Sequence, residues 1–316
     1  MNTYGDAAGE KYTNREYWRD PRDRIYAWSK SSATASNPME NGKGDRYVYD
    51  FEGQLTWANY EGVNSADLTA ISDATRFDRF AYDKMGNRKG ANMIPYRAWV
   101  TFNRRDNGLN QYLNWTPPMA PLEYEANGVL TSDGFVNGTF NALNQPIALR
   151  SATLPTGSSV WFGFDPLGRC VKRWTSATGT ATTNPATYLY YDGWNLIEER
   201  DHLGSPQRAY VHGGRVDEIV ADFSYPDAQW RYHHYDARSH CILLTDSNGQ
   251  IIEQYQYDAF GKPYFFNAMG VQLTALSGAP LNRSNYGNRF LFTGREWLSE
   301  LRLYDYRHRH YLPELQ

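Results

Sequence analysis

The stretch Tyr255-Gln256-Tyr257-Asp258-Ala259-Phe260-Gly261 decides the fold. Tyr255 and Tyr257 are two apart, so on an extended strand both rings lie on one face. Asp258 followed by Gly261 matches a type I turn: the carboxylate takes backbone N–H groups and Gly tolerates positive φ. The pattern returns as Tyr49-Asp50 with Gly53, Tyr82-Asp83 with Gly86, and Phe164-Asp165 with Gly168. Tyr47, Phe80 and Phe162 stand two residues ahead of those aromatics, as Tyr255 does here. Weaker copies begin at Tyr124-Glu125, Phe140-Asn141, Tyr191-Asp192 and Tyr235-Asp236. Segments 54–58 and 170–174 alternate in the manner of return strands. The repeat predicts an array of hairpins, all-β and antiparallel because tight turns join neighbours. Function is then expected in an assembled surface rather than in one pocket.

The bulk numbers agree. Among 316 residues are 25 Tyr, 14 Phe and 10 Trp, with only 21% charged. Aromatics punctuated by 26 Gly favour strands. They must also build the core, and each buried Tyr hydroxyl then needs a partner. A mean hydropathy of −0.70 and the lack of a long apolar run exclude a helical membrane span. Net charge −3 gives no basic footprint, so nucleic acid is not expected as a partner. Cys170 and Cys241 fit neither a disulfide framework nor a zinc spacing, and read as two buried thiols. The first residues carry no signal peptide, so export is expected only as part of a larger protein.

Along the chain, residues 1–30 read as the tail of an earlier repeat and 31–45 as a loop. Turn spacing is uneven (Asp50 to Asp83 against Asp236 to Asp258), unlike a fixed-period solenoid. Inserts are expected over 102–121, around Pro117-Pro118, and over 150–160, 175–187 and 267–287. A few helical turns are expected over 65–76, where Leu68, Ile71 and Ser72 sit at helical spacing.

The block Arg289-Phe290-Leu291-Phe292-Thr293-Gly294-Arg295, followed by Tyr304-Asp305-Tyr306-Arg307-His308-Arg309-His310-Tyr311-Leu312-Pro313, resembles the RHS repeat-associated core. The upstream Tyr-Asp series resembles that family's YD repeat, and Tyr210-Val211-His212-Gly213 and Val216-Asp217-Glu218 resemble what precedes the core. The resemblance implies YD hairpins spiralling into a hollow β-shell, as in bacterial RHS proteins, insecticidal toxin complexes and teneurins. In bacterial members it implies a variable C-terminal toxin inside, released by aspartate-based self-cleavage in an Asp-Pro segment after the core. Here Arg302 and Leu312 replace the more usual Gly and Asp, and the sequence reaches Gln316 without that segment. Neither self-cleavage nor a toxin is carried over, and the chain is expected to be a fragment or a short orphan copy.

Asp50, Asp83, Asp165 and Asp258 could be nucleotide or metal motifs, but no phosphate-cradling loop appears and single aspartates on separate hairpins lack Ca²⁺-loop spacing. They read as turn formers. His308 and His310 should share one face of a strand, with Arg307 and Arg309 on the other, the arginines meeting carboxylates or aromatic faces. Cys170 and Cys241 lack a catalytic context, and Glu198-Glu199 or Glu296/Glu300 read as surface carboxylates rather than a glycosidase pair. Trp57, Trp99, Trp115, Trp161, Trp174, Trp194 and Trp230 read mainly as core, with a sugar-stacking face as the alternative.

The expected organisation is edge strands and loop over 1–45, YD/RHS repeats over 46–284, and a truncated core over 285–316. The core motif is Phe292, Gly294, Arg295, Tyr304, Asp305, Arg307, Arg309, Tyr311 and Pro313. The expected role is a non-enzymatic segment of an exported bacterial toxin shell, with toxin cargo or the rest of the shell as partner. A cell-surface adhesin binding glycans is the alternative. No cofactor or metal is expected.

Overall fold

The computed structural model describes residues 2–5, 11–31, 41–64, 67–71, 76–92, 99–116, 120–151, 154–155, 157–177 and 186–315. Among them the regular structure is antiparallel β-sheet, with two short 3₁₀ turns, Phe292–Gly294 and Pro313–Leu315. The chain divides into two compact units, Met1–Pro121 and Leu122–Gln316. The first holds an 11-stranded sheet and the second a 14-stranded sheet followed by a 3-stranded one. In the 14-stranded sheet, from Glu123–Tyr124 to Pro263–Asn267, every strand pairs with its sequence neighbours.

Each strong copy of the motif forms the turn its residues require. At Asp258, the Gly261 N–H bonds the Asp258 carbonyl at 3.1 Å, and Gly261 takes φ 93°. Asp258 Oδ1 accepts the N–H groups of Phe260 (3.0 Å) and Lys262 (2.9 Å). Asp83 and Asp165 do the same with residues two and four further on, and Asp50 takes the N–H of Gln54. The Asn87 side chain is the first cause that draws the Asp83 carboxyl down to about 2. In the weaker copies Asn144 and Ser239 occupy the glycine position, at φ 60° and 62°.

Tyrosine is used for a reason beyond strand preference. Tyr49 Oη donates to the Ile25 carbonyl (3.0 Å), Tyr82 to Leu55 (2.7 Å), and Tyr191 to Cys170 (2.9 Å), and Tyr257 reaches Cys241 likewise. In each case the acceptor lies five residues after the preceding turn's first residue: Asp20, Asp50, Asp165 and Asp236. The hydroxyl therefore ties one hairpin to the carbonyl that opens the previous return strand. Asp20 and Asp165 also hold Arg24 and Arg169, whose guanidinium groups lie over Tyr49 (4.5 Å) and Tyr191 (5.4 Å) of the next hairpin.

Several expectations change. Residues 67–71, expected as helical turns, are the strand Asp67–Ile71 paired with Leu55–Asn64, and 65–66 and 72–75 lie outside the described residues. The β-branched Thr69 and Ile71 favour extended backbone where an open strand is there to pair with. The insert expected over 102–121 contains the strand Tyr112–Thr116, paired with Trp99–Arg104, while Pro117 and Pro118 lie outside the described residues. Of the loop expected over 31–45, residues 41–45 belong to the strand Asn41–Tyr49, and 32–40 lie outside the described residues. The spacing varies with what joins the strands at the far end: Cys241–Thr245 and Ile251–Tyr257 meet through a tight turn, whereas Cys170–Ser176 and Thr187–Asp192 are joined by a longer stretch. Turns at Asp201 and Asp246 have the motif's bonding without an aromatic in front, and Asn267, behind Phe266, has it too.

Removing one repeat-to-repeat hydroxyl leaves a part-buried carbonyl without that donor. Tyr191→Phe is expected to lower stability by ~1 kcal/mol and Asp165→Ala by ~2 kcal/mol, read from urea melts of the whole chain. Equal or higher midpoints in both variants would show that the hydroxyl ladder carries no stability.

Candidate functional site

After the strand Pro263–Asn267 the chain returns across one face of the 14-stranded sheet. Leu298, Leu301 and Leu303 join a buried cluster with Val160, Phe162, Leu189 and Leu196 from the strands. Leu291, Trp297 and Tyr304 join a second with Tyr235, Leu244, Tyr255 and Phe265. The strands Glu296–Leu298, Leu303–Asp305 and His310–Tyr311 make the small third sheet. Residues 282–314 thus form a clasp, and the core motif lies within it.

Phe292 stacks on His240 with centroids 4.2 Å apart and reaches Tyr257 at 5.7 Å. It also lies on Gly261, where an added Cβ would come within 2.5 Å of its ring. The turn glycine therefore has two duties, its positive φ and this close approach. Gly294, at φ 72°, is pressed on the Asp217 carbonyl, 2.4 Å from where a Cβ would stand. Arg295 and Arg307 converge on the Asp217 carboxylate, the first at 3.0 Å. Tyr304 donates to the Gly261 carbonyl (2.7 Å) and Tyr311 to that of Phe260 (2.8 Å). Pro313 opens the last 3₁₀ turn, from which Glu314 pairs with Lys262 at 3.2 Å. Arg309 is exposed and stacks loosely on Tyr306.

Beneath the clasp runs a buried chain of charges. Arg173 bonds Glu296 at 2.8 Å, Glu296 bonds Arg289 at 2.7 Å, and Arg289 reaches Glu199 at 2.7 and 3.1 Å. Tyr210 donates to the same Glu199. Burial alone would raise Glu296, yet Arg173 and Arg289 outweigh it and hold the carboxyl near 2. Glu199 is likewise lowered against its burial by Arg289 and Tyr210. Further along, fully buried Asp222 bonds Arg208 at 2.7 Å and His233 at 2.8 Å. Arg208 and Arg231 both donate to the Tyr286 carbonyl, at 2.7 and 2.9 Å. Glu253, raised by burial, accepts from Ser284 and from the Asn285 N–H. These groups bond one part of the chain to another.

The other candidate residues fall apart as constellations. Of residues 307–310, expected as alternating strand, only His310 lies in one; 306–309 form a turn closed by Tyr306 N–H to the Arg309 carbonyl, with Arg307 at φ 68°. The cause is Arg307: its side chain is drawn to Asp217 while its N–H bonds Asp305, which a straight strand forbids. Glu198 pairs with Arg200 on the opposite face from Glu199, and Glu300 is exposed away from Glu296. Cys170 and Cys241 are buried thiols, and burial pushes Cys170 up to about 12. No cluster of three His, Cys, Asp or Glu side chains among the described residues is placed for a metal. Trp161 and Trp174 stack on each other, Trp115 is buried, and Trp194 packs on His308. Arg173, Asp222 and Glu253 are not singled out by any local motif. A usable signal existed: Asp222 interrupts the apolar run Ile219-Val220-Ala221, so it faces inward or breaks the strand.

No protein-family model matches the chain. It is 25% identical to the tRNA3(Ser)-specific nuclease WapA of Bacillus spizizenii over 258 residues, 80% of this chain and 10% of that one. The tRNA nuclease WapA of Bacillus subtilis strain 168 gives the same identity and coverage. Among solved structures, a chain of the Photorhabdus luminescens Tc holotoxin pore carrying a TccC3 variant matches with a TM-score of 0.56 and 14% identity. That match covers 100% of this chain and 17% of the other. The TcdB2-TccC3 structure matches equally, at TM-score 0.56 and 14% identity over 99% of this chain and 18% of that one. At such identities the likeness is one of fold. The chain spans about a tenth of the nucleases it matches and under a fifth of the solved chains.

Arg289→Met leaves Glu199 buried without its partner and is expected to cost ~3–5 kcal/mol, with Glu199→Gln on the same chain recovering part of it. Urea melts of both variants decide this. Independent loss in the double variant would mean that the two side chains do not act on each other.

Acid titration separates two signs. Burial holds His234 and His310 near 4, below the ordinary 6.5, so their contribution is present above 6.5 and is lost as pH falls through 4. Burial, with Glu296 nearby, raises Asp305 to about 6 from 3.8. Its contribution is complete below 3.8 and lost as pH rises through 6. Asp305→Asn is therefore expected to melt higher than the parent above pH 6, the gap closing toward 3.8. A pH-independent gap in melting temperature would refute that assignment.

Proposed function

We propose that this chain belongs to the RHS/YD-repeat family and is a non-catalytic wall segment of a polymorphic toxin. Its hairpins would form part of an exported protein's shell enclosing a C-terminal toxin encoded by the longer product. The observation that carries this reading is the clasp. Its buried charges are bonded to one another across the sheet, which supports a wall held in one geometry. The matches support the context: four-fifths of the chain aligns with about a tenth of nucleases named as acting on tRNA. In this reading nuclease activity belongs to a part of those proteins outside the aligned tenth, and nucleic acid is no partner of this segment.

The test is in two parts. Incubated with tRNA, the isolated chain is expected to leave it intact. Cleavage above the buffer rate that vanishes in His233→Ala would overturn the non-catalytic assignment. In the full-length parent, a C-terminal domain protected from protease is expected to become accessible when Arg289→Met loosens the clasp. A domain equally accessible in both would remove the container reading.

A further inference from the structure

Where the clasp ends, it leaves a groove between itself and the first strands of the 14-stranded sheet. The floor is apolar, from Val136, Phe140, Leu149 and Phe164, and one wall is Leu303 and Leu312 with residues 307–310. The opposite lip is made by Leu143 and Leu167, the residues just before the left-handed position of two turns. These leucines are 77% and 65% exposed, although each turn would close equally well with a polar side chain there. Two strands separate their turns, so the tips stand ~10 Å apart, the length of about three residues of an extended segment.

The wall supplies a sign. Arg307 is neutralised by Asp217, whereas Arg309 is exposed and has no carboxylate partner among the described residues. Among the described residues the one carboxyl that lines the groove, Asp133, is buried and turned to the N–H groups of Phe135 and Val136 at 2.7 and 2.6 Å. His308 is also exposed on this wall, and His310 is held neutral by burial down to about 4. An apolar floor and lip beside an unpaired arginine select a polypeptide that alternates apolar and acidic residues.

We infer that this groove seats an extended, alternately apolar and acidic stretch of the polypeptide that the wall encloses. The inference rests on the container reading for the identity of the occupant, but the groove's selectivity is measurable without any cargo. Such a seat holds one short segment extended, which opposes folding of the enclosed chain at that point.

The experiment uses the whole chain and fluorescein-labelled decapeptides of alternating Leu and Glu, alternating Leu and Lys, and alternating Ser and Glu, read by anisotropy. The Leu/Glu peptide is expected to bind, and each of Leu143→Asp and Arg309→Glu to weaken it roughly tenfold. Arg309→Glu should also improve the Leu/Lys peptide. Leu203→Asp, on a turn tip that is 78% exposed and lines no part of the groove, should change nothing. All three positions face solvent, so circular dichroism of the variants is expected to match the parent. Absence of Leu/Glu binding, equal binding of Leu/Glu and Leu/Lys peptides, or equal loss in Leu203→Asp would overturn the groove assignment. None of these outcomes touches the container reading, which fails only on the protease test of the parent.

Discussion

The hydroxyl that each motif tyrosine sends back to the preceding hairpin is the contact on which the repeat depends. A meander of short strands has only neighbour-to-neighbour ladders, and a hairpin can slip or fray without losing more than its own bonds. The bond from Tyr191 to the Cys170 carbonyl spans a whole repeat, joining the end of one hairpin to the start of the return strand before it. It fixes register between hairpins, which the alternating pattern alone leaves free. Phenylalanine would fill the same space and bury the same ring, so the hydroxyl explains why Tyr recurs there. Phe164 is the exception among the strong copies, and its ring stacks on Phe162 instead.

Topology then explains the placement of the motif. Strands that follow one another in chain order put successive turns at alternate ends of the sheet. In the second unit the turns begun by Glu125, Asn141, Asp165, Asp192, Asp236 and Asp258 all fall at one end. Those begun by Asp201 and Asp246 fall at the other. The aromatic-Asp signature thus marks one end, and the repeating unit is two strands long. Inserts at the opposite end vary the count without disturbing the ladder.

This is also why the fold was readable and much of the clasp was not. Asp-x-x-Gly and the paired aromatics are local, since their bonds close within five residues, so a single sequence displays them. The second set of turns lacks that mark, because no aromatic stands in front of Asp201 or Asp246. Arg289 and Glu199, by contrast, are ninety positions apart, and nothing local distinguishes Glu199 from its surface neighbour Glu198. Strand phase could have separated the two, but choosing the inward phase needs the partner face. The turn at 306–309 is hidden for the same reason, because Asp217 decides it from another part of the chain.

A clasp held by buried ion pairs is an odd choice on energetic grounds. Replacing such a network with packed aliphatic side chains is often neutral or stabilising. This chain is poor in aliphatics, and aromatic rings tolerate many offsets at similar energy. A segment packed on rings alone could slide. Glu296 accepting two guanidinium groups, and Asp217 accepting two more, permit one alignment of residues 289–307 on the sheet. Any shift would strand several charges together, each without water. Gly294 against the Asp217 carbonyl adds a steric stop at the same point. The buried charges therefore select one position of the clasp over its neighbours more than they add to overall stability, and a wall that must enclose something needs position most.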